Sequence, residues 1–351
     1  MAKKAIITGV TGQDGAYLAK FLLEKGYSVY GTFRRLSTPN FWRLLYLGIF
    51  DKMFLIPADL IDSSSIYEAI EMCQPDEIYN LAAQSFVGAS FEQPVASGTI
   101  TGLGVARILE AVRQINPKIR FYQASTSELY GNGDAAQQTE DTHFKPASPY
   151  AAAKLYAHWI TRMYRETHGI FACSGILFNH ESPIRGLEFV TRKITNCAAK
   201  IALGLEKELR LGNLEAKRDW GYAPEYVQAM WLMMQQKKPD DFVIATDETH
   251  TVREFVEKTF ARLGLAPDKY VTVDKTFFRP VDVNLLQGDY HKAKTVLNWQ
   301  PQTKFDRLIE VMVDEDLSRW QRCLKGEVFP WDAPNYPSEN VIITRMTSSR
   351  K

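Results

Sequence analysis

From Ala5 to Phe178 the chain alternates short apolar runs with stretches whose apolar residues recur at helical spacing, a rhythm that few architectures accommodate. Ala5-Ile6-Ile7-Thr8 ends at Gly9, helical spacing follows over 17–23, and Tyr27-Ser28-Val29-Tyr30 resumes after Gly26. The unit recurs as a run at 53–56, a helix over 64–73, a run at 77–81, a helix over 102–114, a run at 120–124, a helix over 150–167 and a run at 171–178. Strands joined in this way run parallel, because each helix crosses back over the sheet and covers one of its faces. The expected fold class is therefore α/β, a Rossmann-like doubly wound parallel sheet.

Beyond 178 the alternation loosens. Residues 180–225 are richer in Arg, Lys, Gly and Pro, as suits a segment facing substrate, and amphipathic helices are expected over 252–263 and 305–320. This predicts a first domain over 1–178, a smaller mixed α/β domain mainly over 179–320, and a tail over 321–351. The run Phe242-Val243-Ile244-Ala245 can return to the first sheet. The tail shows no periodicity and is expected to wrap the surface or to be partly disordered.

Charge narrows the partners. Forty-two basic residues balance 41 acidic ones, and a formal net charge of +1 provides no global field to draw nucleic acid or an anionic membrane. Neither is an expected partner, and any anion must be held by a local site. Cys73, Cys173, Cys197 and Cys323 form no C-x-x-C pair, so no metal site or disulfide framework is expected. No signal-like segment and no apolar stretch of 18 residues is read in the chain, which predicts a cytoplasmic protein.

The first turn carries the first chemistry. Thr8-Gly9-Val10-Thr11-Gly12-Gln13-Asp14-Gly15 lies between strand and helix, where Gly9, Gly12 and Gly15 let the backbone approach a pyrophosphate at the positive helix end. The next strand ends at Arg34-Arg35, about where an NAD-selective chain offers an acid to the ribose 2′-hydroxyl. Two guanidinium groups suit a 2′-phosphate instead, so the expected cofactor is NADP. The plainer alternative is a solvated loop edge.

Tyr150 and Lys154 are four apart at the start of a helix and share a face, where the ammonium can favour a tyrosinate. The preceding strand ends in Ala124-Ser125-Thr126-Ser127-Glu128, at the edge where open α/β sheets bind ligands. Glu128 there is a candidate general base or acid, against the alternative of a helix-capping glutamate.

With these residues in view the chain resembles the extended short-chain dehydrogenase/reductase family. The blocks at 8–15, 34–35, 81–85, 123–131, 148–154, 175–183, 189–193 and 217–221 resemble its GDP-mannose 4,6-dehydratase branch, over residues 3–320. The resemblance implies that Gly9, Thr11, Gly12, Gln13, Asp14 and Gly15 hold the pyrophosphate and Arg34 and Arg35 the 2′-phosphate. Asp59 and Leu60 would flank the adenine. Leu81, Ala82, Ala83, Gln84 and Ser85 would flank the ribose and nicotinamide, and Tyr150, Lys154, His180 and Arg185 would complete the NADP contacts. Ser85, Thr126, Ser127, Asn179, Lys193, Arg218 and Arg279 would bind the sugar nucleotide. His180 also reads as a structural histidine, and Arg218 as half of a local ion pair.

The implied reaction is dehydration of GDP-mannose by a homo-oligomer, a dimer or tetramer, with the 35–46 loop as a contact. Tyr150 would act as base at O4 with Thr126 as hydrogen-bond partner, and Glu128 as base at C5. Alternatives are a related GDP-heptose as substrate, a 4-epimerase, a keto-sugar reductase, or a silent NADP-binding scaffold. Epimerisation needs no base at C5, so Glu128 argues against it. The chain departs from the branch at Leu36, at Ala151 and at Arg279-Pro280-Val281-Asp282-Val283-Asn284, where one acid is shortened and another neutralised.

Overall fold

The computed structural model describes residues 2–327 apart from 38–39, 134, 279–282 and 284. Seven strands form one sheet: β1 (Lys4–Thr8), β2 (Ser28–Phe33), β3 (Phe54–Pro57), β4 (Glu77–Asn80), β5 (Arg120–Thr126), β6 (Ala172–Leu177) and β7 (Phe242–Ile244). Their order is β7-β6-β5-β4-β1-β2-β3 and every neighbouring pair is parallel. The main helices are α1 (Gln13–Glu24), α2 (Ser63–Cys73), α3 (Pro94–Ile115), α4 (Pro149–His168), α5 (Val190–Ala202), α6 (Ala223–Met234), α7 (Val252–Arg262) and α8 (Phe305–Leu324).

Successive side chains of a strand point to opposite faces, and β1 shows where they go. Ala5 and Ile7 pack with Leu18 and Leu22 of α1 and Met230 and Met233 of α6, whereas Ile6 packs with Ile70 of α2, Ile108 and Val112 of α3 and Ala157 of α4. With both faces covered, the central strands are apolar throughout, and β4 and β6 are buried at every position. A third cluster joins α5, α7 and α8 through Ile194, Phe255, Val256, Leu308 and Met312.

The main sheet also takes material from beyond residue 178. β7 pairs with β6, and α6 lies against α1, because a parallel strand added after β6 requires a helix to return over the sheet. Helix α3 differs from its expected span over 102–114. It begins at Pro94 and includes a π-helical segment at Gly98–Leu103. With a mean hydropathy of 1.3 over an 18-residue window it is long and apolar enough to cross a membrane, contrary to the expectation that no such stretch exists. Half of that window is buried inside the protein, where Val105, Ile108, Leu109 and Val112 meet the sheet. Gly102 brings α3 close to α4, since a Cβ there would lie 3.3 Å from the carbonyl oxygen of Ala153. Helix α8 ends at Leu324, and most of the expected tail, 328–351, lies outside the described residues.

Strand order reverses between β1 and β4, and their C-terminal ends are tied by one hydroxyl. Buried Thr8 donates to Oδ1 of Asn80 at 2.6 Å and accepts from the amides of Leu81 and Ala82, each at 3.1 Å. Asn80 donates onward to Gln123 of β5 at 2.8 Å. We predict that Thr8→Val, nearly isosteric, leaves these partners unsatisfied and lowers stability by about 1–3 kcal/mol. A urea midpoint equal to that of the parent chain would contradict this.

Candidate active site

The reversal of strand order opens a crevice at the carboxyl ends of the strands, and the glycine loop forms its floor. Gly9 has φ of +69°, and a Cβ there would stand 2.9 Å from Cα of Ala82. A Cβ on Gly15 would stand 2.5 Å from the carbonyl oxygen of Gly9. Gly12 is the N-cap of α1 and makes no side-chain cap, so the positive end of that helix faces the cleft. A cradle that side chains would fill, placed at a helix N-terminus, fits a dinucleotide pyrophosphate.

The carboxylate of Asp14 would repel such a ligand, and His180 offsets it. Nε2 of His180 lies 2.8 Å from Asp14, its Nδ1 lies 2.7 Å from the carbonyl of Phe178, and its ring stacks on Tyr226. Burial disfavours both charges, but their attraction wins: the histidine pKa is raised, and that of Asp14 falls to about 2. Gln13 completes the loop, donating to Asp14 at 3.0 Å and to the carbonyl of His180 at 3.1 Å.

On the opposite wall, Tyr150 and Lys154 project from the first turns of α4, capped by Ser148, whose hydroxyl accepts from the Ala151 amide at 3.0 Å. Nζ of Lys154 donates to the carbonyl of Ala124 at 2.7 Å and stands 5.9 Å from the centre of the Tyr150 ring. Burial lowers the pKa of this ammonium to about 8, with Asp14 opposing the fall. Burial also raises Tyr150, and its hydrogen bond with Thr126 only partly compensates. The expected lowering of the tyrosine by Lys154 is therefore not found, because desolvation of the phenolate dominates. Glu128 follows on a single 3-10 turn, Ser127–Leu129, whose first cap is the Thr126 hydroxyl.

Two clefts meet at this point. The first is bordered by Gly9, Gly12, Gln13, Asp14, Gly15, Leu81, Ala83, Ser85, Thr126, Glu128, Tyr150, Lys154, Asn179, His180 and Arg185. The second shares Glu128, Asn179 and Arg185 with it and adds Lys193 and Arg218. Nζ of Lys193 lies 3.8 Å over the ring of Phe277. Arg218 donates to the carbonyl of Lys217, while the carboxylate of Asp219 accepts from Thr246, Asp247 and Gly288.

Other expected residues stand apart from both clefts. Arg34 and Arg35 are exposed at the end of β2. Ser127 is buried with its hydroxyl unpartnered, Thr11 offers its carbonyl to Arg43, and Ala82 packs under Gly9. The amide of Gln84 donates to Thr101, and Asp59 accepts from the Ile61 amide. Leu60 borders a small apolar hollow beside Ile66, Ile70 and Ile108. Arg279 lies outside the described residues. Arg43, Glu188 and Phe189 also line the first cleft and were not anticipated. Only Phe189 fell in a block singled out as a motif; the other two carry no local pattern that marks them.

The Asp14–His180 pair makes a prediction about pH. A histidine whose pKa is raised by folding adds stability that is complete below its ordinary value near 6.5 and is lost as pH rises through the folded value. Unfolding free energy is expected to fall on that alkaline side, and Asp14→Asn should make the slope shallower. An unchanged slope in the variant, measured by denaturant titration across pH 6 to about 8.5, would contradict the pairing.

A family model described as GDP-mannose 4,6 dehydratase matches residues 6–312. GDP-mannose 4,6 dehydratase 2 of Arabidopsis thaliana is 52% identical over 330 residues, covering 91% of this chain and 88% of that protein. The GDP-mannose 4,6 dehydratase of Homo sapiens is 50% identical over 339 residues, covering 89% of this chain and 91% of its own. Among solved structures, the dTDP-glucose 4,6-dehydratase of Bacillus anthracis in complex with NAD superposes with a TM-score of 0.80 at 20% identity, covering 91% of this chain and 98% of that one. That likeness extends the fold far beyond close sequence kinship, while the family match and the two relatives at half identity are specific: the chain belongs to the GDP-mannose 4,6-dehydratase family.

Proposed function

We propose that this protein removes water from GDP-mannose to give GDP-4-keto-6-deoxymannose, a hydro-lyase reaction with no net redox change. The observation that carries the reading is the place of Glu128, a carboxylate on the border of both clefts, beside Tyr150 and Thr126. A simple dehydrogenase has no use for that second acid/base group, whereas elimination needs one at C5.

The first cleft suits a nicotinamide dinucleotide, as in the neighbour with bound NAD. Arg34 and Arg35, exposed at the end of β2, favour NADP by offering guanidinium groups to a 2′-phosphate. Asp59 and Leu60, just beyond the end of β3, are the residues on the adenine side. When bound, the nicotinamide supplies the acceptor for the C4 hydride and the donor that later reduces C6.

The protein's own part is proton handling and positioning. Tyr150 takes the O4 proton, with the Thr126 hydroxyl bonded to the same phenol. Lys154, on the same helix face with Nζ 5.9 Å from the centre of the ring, brings positive charge near the phenol. The ketone at C4 acidifies C5–H; Glu128 removes that proton and passes it to the departing C6 oxygen, and once C6 has been reduced C5 is reprotonated, the proton taken from O4 by Tyr150 closing the balance. Lys193 and Arg218 in the second cleft offer cations to the diphosphate and ribose, with Ser85 and Asn179 as the neutral partners of the substrate. We read the working unit as a cytoplasmic homo-oligomer, dimer or tetramer. Four free thiols suit a reducing compartment, and exposed Tyr156, Trp159 and Met163 on α4 lie near exposed Leu103 of α3, offering an apolar face.

Glu128→Gln tests the assignment. It should keep cofactor affinity and lower formation of the dehydrated product by about 10²–10⁴-fold, while oxidation at C4 persists as reduced cofactor absorbing in the near ultraviolet. Full water elimination by the variant would remove Glu128 from the C5 step.

A further inference from the structure

Three successive carbonyls in the loop between Glu181 and Val190 are held by two arginines from elsewhere in the chain. Arg43 donates through Nε to Ile184 at 2.7 Å and through Nη1 to Thr11 of the glycine loop at 3.1 Å. Arg192, at the start of α5, donates through Nη1 to Pro183 at 2.5 Å and to Arg185 at 3.1 Å. Its remaining nitrogens face Asp316 of α8, with Nε at 2.9 Å from each carboxylate oxygen and Nη2 at 2.8 Å.

Asp316 is fully buried and also accepts from the hydroxyl of Thr195 at 2.7 Å and from Arg319 at 3.0 Å. Apolar side chains could join α5 to α8 without desolvating any charge. A guanidinium does something they cannot: one edge grips a carboxylate while another nitrogen holds two backbone carbonyls. The loop so held is a wall common to both clefts, bordered in each by Arg185, Glu188 and Phe189. The Arg185 side chain leaves that wall with a carboxylate partner, Glu181 at 3.2 Å, and a ring beneath it, Phe189 at 3.7 Å.

We propose that Arg192, anchored by Asp316, is a positioning residue that fixes the 183–185 backbone and thereby presents Arg185 to a diphosphate at the junction of the clefts. The proposal rests on the dehydratase reading for its ligands, because both the dinucleotide and the sugar nucleotide carry that group.

Arg192→Lys keeps the charge and loses the fork, and Asp316→Asn keeps the shape and loses the anchor. In each full-length variant, amides 184–189 should exchange with deuterium at least tenfold faster than in the parent, with the interior amides of α5 and α8 unchanged. The KM for GDP-mannose, or the Kd for NADP⁺ measured by calorimetry, should rise at least fivefold while kcat stays within threefold. The constant that moves tells which diphosphate Arg185 meets. In an Arg185→Gln background, Arg192→Lys should add less than a further twofold. Additive effects, or unchanged loop exchange with both constants unmoved, would overturn the proposal. A chain that does not dehydrate GDP-mannose would instead fail on kcat in the parent, and the exchange and NADP⁺ measurements would still decide the role of Arg192.

Discussion

A single buried hydrogen-bonded thread holds the working edge of this sheet. It runs from the Thr8 hydroxyl to Asn80 at 2.6 Å, from Asn80 to Gln123 at 2.8 Å, and from Gln123 to the carbonyl of Ala124 at 3.0 Å, where Lys154 also donates at 2.7 Å. In a low-dielectric interior each member strengthens its neighbours, and each would be costly to leave unpaired. The thread fixes the ends of β1, β4 and β5 relative to α4. Gly9 follows Thr8 directly, Leu81 follows Asn80, and Thr126 lies two residues beyond Ala124, so the cofactor loop, the cleft wall and the catalytic pair share one reference.

Burial then decides how the charges of the site behave. Burial raises the pKa of Tyr150 and brings that of Lys154 down to about 8, so desolvation rather than attraction between the two governs their charges. The pKa of Asp14 is brought down to about 2 by His180, whose imidazole stands 2.8 Å from the carboxylate where an anionic pyrophosphate would arrive. The clefts meet at Glu128, and the loop that divides them is held from two sides by arginines: Arg43, which also grips the Thr11 carbonyl of the glycine loop, and Arg192 of α5, which is anchored on Asp316 of the last helix.

Local pattern explains what was legible in the sequence. The strand, glycine turn and helix lie within 21 residues, Lys4–Thr8 to Glu24, and every feature of the turn is a neighbour of the next. Tyr150 and Lys154 declare their common face by spacing, and Glu128 by its place just past a strand end. The rest depends on contacts distant in sequence. Arg43 reaches a carbonyl 141 residues away, and Arg192 meets a carboxylate 124 residues away, with no periodicity to announce either. The early start of α3 was hidden for a different reason: glycines at 98, 102 and 104 weaken helical propensity, and packing against α4 overrides it. Likewise, Tyr150 looked acidified on spacing alone, since spacing carries no information about desolvation.

The most direct test of the account is mass spectrometry of GDP-mannose incubated with the purified protein and substoichiometric NADP⁺, without added reductant. The account predicts a product one water lighter, formed in many-fold excess over cofactor, with the oxidised cofactor recovered at the end. A nucleotide sugar of unchanged mass, or turnover that stops after one equivalent of cofactor, would contradict it.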